Sequence, residues 1–168
     1  MVSPIVDFYS GKKPDSEGRF IGEIHSWGNN KLEYTHDYIQ WLFPLREASH
    51  FNLRAPMLKE EDIIAFHKDK NLRDKLLVSF DLMLNFYGFE RKGLFVSCSD
   101  DWDIKSNNWL SIGNHNFLRI TRILSCLSLL GLQEYASAFF STLSYLYNSG
   151  YRHIIGEITY GYWSNASE

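Results

Sequence analysis

The sequence predicts an all-α fold, an irregular bundle of about six to seven helices forming one domain over residues 1–168. Three observations predict it. Apolar residues recur at three-to-four spacing in several windows, the period of one helix face. Gly and Pro fall between those windows, where helices stop. No segment shows the strict apolar–polar alternation of a half-buried strand, so short-looped helices are the expected architecture.

In order along the chain, residues 1–18 hold Pro4, Gly11, Pro14 and Gly18 and read as a loop-rich arm pinned by Phe8 and Tyr9. Residues 20–27 suit a short helix stopped by Gly28. A helix from Lys31 to Phe43 is expected next, with Leu32, Ile39 and Phe43 on one stripe beside His36, and Pro44 ending it. Residues 44–57 connect. Glu60, Glu61 and Asp62 suit the positive end of a helix running to Lys68. Leu72, Leu76, Phe80, Met83, Leu84 and Tyr87 mark a further helix, with Gly88 as its stop. Residues 89–112 are the least regular and read as an irregular loop. Asn114 can cap a helix from His115 to Leu130, and Gln133 to Tyr147 forms another, broken at Asn148-Ser149-Gly150. The tail, residues 151–168, reads as weakly structured with a short helix.

Composition bounds the function. Hydrophobic residues are 45% and charged residues 22%, ordinary for a globular domain. The net charge of −3 speaks against a nucleic-acid partner. Two cysteines, Cys98 and Cys126, define no disulfide framework and fit reducing surroundings. The start lacks a signal-peptide pattern, and the longest nearly apolar run, Ile123 to Leu132, is about half a membrane span. The expectation is an intracellular, cytoplasmic protein with no membrane partner, associated with the nucleus if eukaryotic. The 16% aromatic content leaves a homo-oligomer open.

Two stretches, His36 to Arg46 and Asn114 to Leu124, resemble signature strings of the opioid growth factor receptor conserved region. Leu82 to Gly88 lies between them in the expected order, and Asp7-Phe8-Tyr9 and Asn52 to Pro56 also fit. The likeness covers about residues 5–147, is loose between Gly88 and Trp109, and points to a short single-domain member. It implies a helical domain rather than a membrane receptor. Vertebrate members are linked to an enkephalin peptide and to growth restraint at the nucleus, but no motif in this sequence accounts for peptide binding.

The candidate chemistry centres on the helix after Asn114. His115, Arg119, Arg122 and Cys126 share one sector of its wheel. Asn114 and His115 stand at its N-terminus, where backbone N–H groups favour anions. Two guanidiniums one turn apart can grip a carboxylate or phosphate. The competing reading is a solvated face, or arginines paired with acidic neighbours. His36 and Asn116 are polar groups on or beside apolar stripes; they either satisfy each other in the core, or His36 and His115 line one pocket with Arg119 for acid–base work. Trp41 with Arg46 either packs a second core layer or anchors a groove. The six histidines show no metal-pair spacing, no cofactor motif is present, and none is expected. A non-catalytic module binding a peptide, protein or small anion is favoured. The alternative is an enzyme acting on a phosphorylated or carboxylated small molecule, with His36 or His115 moving the proton. On the exposed-stripe reading, Arg119→Ala weakens binding and barely affects folding.

Overall fold

A computed structural model describes residues 3–168 of the chain. It divides into two compact units, Met1–Leu82 and Met83–Glu168, and the boundary falls inside a helix rather than at a linker.

The first unit opens with α1 (Pro4–Tyr9), where a loop was expected. Ser3 Oγ accepts from the backbone N–H of Ile5 and Val6, and Pro4 occupies the first turn. That Ser-Pro pair is a helix start, masked by the Gly and Pro that follow. Phe8 and Tyr9 are fully buried, as the pinning argument requires. α2 (Ile21–His25) matches expectation. The expected helix 31–43 is instead two pieces, α3 (Asn29–Tyr34) and α4 (Ile39–Leu42). Thr35 is extended between them, and Thr and Asp favour the helix interior poorly. The break swings Tyr38 into the core, where its hydroxyl donates to the Leu32 carbonyl at 2.8 Å. α5 (Glu60–Lys68) begins where its acidic turn predicts, with Asp62 accepting from the Lys59 backbone N–H at 2.9 Å. α6 (Lys70–Tyr87) supplies Leu72, Leu76 and Phe80 to this core.

The second unit takes Met83, Leu84 and Tyr87 from α6. Gly88, at φ 94°, ends the helix and opens residues 89–112, which are not an irregular loop. β1 (Phe89–Lys92) and β2 (Phe95–Cys98) pair antiparallel, Lys92 opposite Phe95. Gly93 takes φ 60° at the first turn position and Leu94 stays at negative φ, the signature of a type II′ hairpin. Strands of four residues are too short to register an alternation. α7 (Trp102–Ser106) follows, then α8 (Asn116–Leu129) and α9 (Gln133–Leu146), close to their expected bounds. Ser149 and Gly150 break the helix as expected, and the tail forms α10 (Arg152–Ile155) and α11 (Glu157–Ala166). Trp163 is fully buried and its indole N–H donates to the Phe117 carbonyl at 3.1 Å, so the tail is part of this core.

The all-α class holds, with one small hairpin added. Among the described residues, five helices reach nine residues, and the four- to six-residue pieces raise the number above six to seven. Among the described residues, no helix is long and apolar enough to cross a membrane.

Candidate functional site

The sequence candidates divide between the units. In the first, His36 is exposed in the break between α3 and α4, not on an apolar helix stripe. Trp41 is only 6% exposed and packs its ring against Phe8 at 5.2 Å. It belongs to the core and does not anchor a surface groove. Arg46 is exposed and pairs with the equally exposed Glu60 at 3.3 Å, an ion pair worth little in solvent. Trp41 and Arg46 therefore do not present a shared face.

In the second unit, Asn114, His115, Asn116 and Arg119 form one hydrogen-bonded cluster at the start of α8. Asn116 is fully buried, and its backbone N–H and side-chain Nδ2 donate to Asn114 Oδ1 at 2.9 and 3.1 Å. Asn116 Oδ1 accepts from Tyr87 Oη at 3.3 Å and Arg119 Nη1 at 3.4 Å. Nδ2 also approaches His115 Nε2 at 3.5 Å. Asn114 Nδ2 donates in turn to Ser111 Oγ at 3.1 Å.

Two expectations change here. Arg119 is 6% exposed, so the stripe is not a solvated face. The backbone N–H groups of the first turn are also engaged, with Asn116 donating to Asn114 Oδ1, Phe117 to the Asn114 carbonyl and Leu118 to the His115 carbonyl. The helix start is capped from within rather than open to an anion. What remains at the surface is the exposed His115 ring, with half-exposed Asn114 and Arg122. Ile112 and Leu118 are exposed beside them in sequence.

Tyr87 was read only as a core ring. It joins the Asn116 cluster, because its hydroxyl reaches Asn116 while the Trp109 indole N–H donates to its backbone carbonyl at 2.8 Å. Rings continue from Tyr87 to Trp109, Phe117 and Trp163, with centroids 5.2, 6.4 and 5.7 Å apart. Cys126 is fully buried, which pushes its thiol well above the ordinary range despite nearby Arg122, and leaves it unreactive. Among the described residues, no group of three or more His, Cys, Asp or Glu side chains could hold a metal ion.

The charge around this cluster is one-sided in sequence. From Ile104 to Gly156 the only acidic residue is Glu134, against Lys105, Arg119, Arg122 and Arg152. A stretch of sequence so short of carboxylates suits an anionic partner better than a cationic one.

The comparisons with known proteins agree with the motif likeness. The family model for the opioid growth factor receptor conserved region matches residues 4–150. The rat opioid growth factor receptor is 42% identical over 124 residues, covering 70% of this chain and 21% of that protein. The mouse opioid growth factor receptor-like protein 1 is 38% identical over 136 residues, 77% of this chain and 29% of its own length. The human opioid growth factor receptor is 39% identical over 124 residues, 70% of this chain and 18% of its own. The chain thus spans less than a third of the relatives it matches. No solved structure matches it. With the family model covering most of its length, the chain belongs to the opioid growth factor receptor conserved-region family.

Proposed function

We propose that this chain is a binding module that takes up a short peptide by an anionic group, at the surface formed by Asn114, His115 and Arg122. The observation that carries the reading is the Asn116 cluster. A buried amide, bonded to a buried guanidinium and a tyrosine hydroxyl, lies 3.5 Å from an exposed imidazole, inside a stretch nearly free of acids. Groups positioned this way lose little freedom when a ligand arrives. The curated relatives are named as receptors of opioid growth factor, which supports a peptide as the ligand class.

Calorimetric titration with an enkephalin peptide, as free acid and as C-terminal amide, tests the reading. The free acid should bind at least about tenfold tighter, roughly 1.4 kcal/mol for the lost charge-assisted contact. Arg122→Ala should erase that preference. Equal affinity for both forms removes the anionic contact, and absence of binding by either removes the proposal.

A further inference from the structure

Among the described residues, α11 buries Trp163 alone of its ten, whereas α8 buries eight of fourteen. Ile158, Thr159 and Gly161 are poor helix formers, and an isolated helix this short is unstable in water. α11 therefore depends on its seat against α8 and α9. The Trp163 ring meets Phe117 at 5.7 Å, and its indole N–H donates to the Phe117 carbonyl at 3.1 Å. Ser128 Oγ and Gln133 Nε2 donate to the carbonyls of Ala166 and Ser167 at 2.8 and 2.9 Å. Tyr160 stacks on Tyr147 with ring centroids 4.1 Å apart.

The joint that leads to this seat turns on one residue. Between α9 and α10, Ser149 and Tyr151 keep φ at −105°, and Gly150 crosses to φ 132°. Nothing stands within 4 Å of where a Cβ at Gly150 would be, so the glycine serves the backbone and not the packing. Across the break, Arg152 Nη2 already donates to Asn148 Oδ1 at 3.2 Å, at the i,i+4 spacing of a helix. Turning Gly150 to a helical φ would join α9 to α10 as one helix and carry α11 off its own α8. The same seat on a second copy offers every contact that α11 left, so the closed chain and an exchanged pair differ mainly at the joint. Tethering favours the chain's own seat. We propose that the α8–α9 face also binds α11 of a second copy of this chain, in a reciprocal exchange of residues 151–168, and that Gly150 holds the segment at home.

Gly150→Ala is the test. Alanine is strained at φ 132° and favoured in a continuous helix, so both effects drive exchange, once in each copy. Sedimentation should show the variant dimerising about a hundredfold more tightly than the wild type. In a dimer refolded from equal parts of carbon-13-labelled and unlabelled chain, isotope-filtered NOE spectra should connect Trp163 of one copy with Phe117 of the other. A variant as monomeric as the wild type overturns the proposal, and so does a dimer whose Trp163–Phe117 contact stays within one copy. Should Gly150→Ala not fold, the wild-type chain refolded near the roughly millimolar effective concentration of a short tether gives the same spectrum. The cross-copy contact there supports the exchange, and its absence overturns it. No ligand enters these measurements, so the peptide titrations decide the binding reading separately.

Discussion

Ser79 Oγ stands 2.8 Å from His25 Nε2, a serine–histidine pair that nothing in the spacing of the two residues announces. Tyr9 Oη reaches both the Leu42 carbonyl and the same Ser79 Oγ, the latter at 2.9 Å. Ser79 is fully buried. These contacts tie α1, α2, α4 and α6 within the first unit.

His25 gives that unit a pH dependence. Burial, and secondarily the Lys75 ammonium, lower its pKa from the ordinary 6.5 to about 4. The unfolded chain therefore binds the proton more readily. The stability contribution is complete above pH 6.5 and is lost as pH falls toward about 4. The ring is partly exposed, so screening limits the effect to roughly 1 kcal/mol. Urea unfolding between these limits should show the decline, and His25→Gln should flatten it. An unchanged slope in the variant would mean that other groups govern acid sensitivity.

Arg119→Ala should destabilise the protein rather than spare it, reversing the expectation from an exposed stripe. The substitution removes a buried donor and leaves Asn116 Oδ1 with one partner fewer. The cost should be about 2 kcal/mol, read from denaturant midpoints. A melting temperature equal to the wild type would return Arg119 to the surface.

The family match ends at residue 150, yet the second unit does not. Trp163 fills its core, Ser128 Oγ donates to the Ala166 carbonyl at 2.8 Å, and Gln133 Nε2 donates to the Ser167 carbonyl at 2.9 Å. Trp163→Ala should cost roughly 3–5 kcal/mol. A chain cut after Gly150 should lose protection of the α8 amides in hydrogen exchange. Full protection in that shortened chain would show α11 to be dispensable.

Trp41→Phe should be nearly neutral. The ring contact with Phe8 survives, while the indole N–H, buried and lacking a hydrogen-bond partner, disappears. Loss of ring volume and relief of an unsatisfied donor oppose each other, leaving a change under about 1 kcal/mol. A loss above about 3 kcal/mol would show that the nitrogen has an essential partner.

α5, α6, α8 and α9 were legible because their information is local, whereas α11 lies in a tail without a clean period. Acidic residues at the start of α5, the spacing from Leu72 to Tyr87 and the stop at Gly88 act over a few turns, and the structure follows them. The short elements were not legible. A four-residue strand has too few side chains to show a period, although Gly93 followed by Leu94 carried a usable turn signal. The break at Thr35 was hidden because Leu32, Ile39 and Phe43 are all buried whether or not one helix joins them.

The sequence by itself determined the helical class, the family and the clustering of Asn114, His115, Asn116 and Arg119 at the head of α8, since those residues are neighbours along the chain. Only the tertiary structure decided which of them face inward. A helical wheel gives an angle and not a direction to the core, and α8 is covered on more than one side, so Arg119 is buried while His115 is exposed. Folding alone brings Tyr87 to Asn116, and Ser79 to His25, because hydrogen bonds reach across space between residues whose separation in sequence leaves no trace of the meeting.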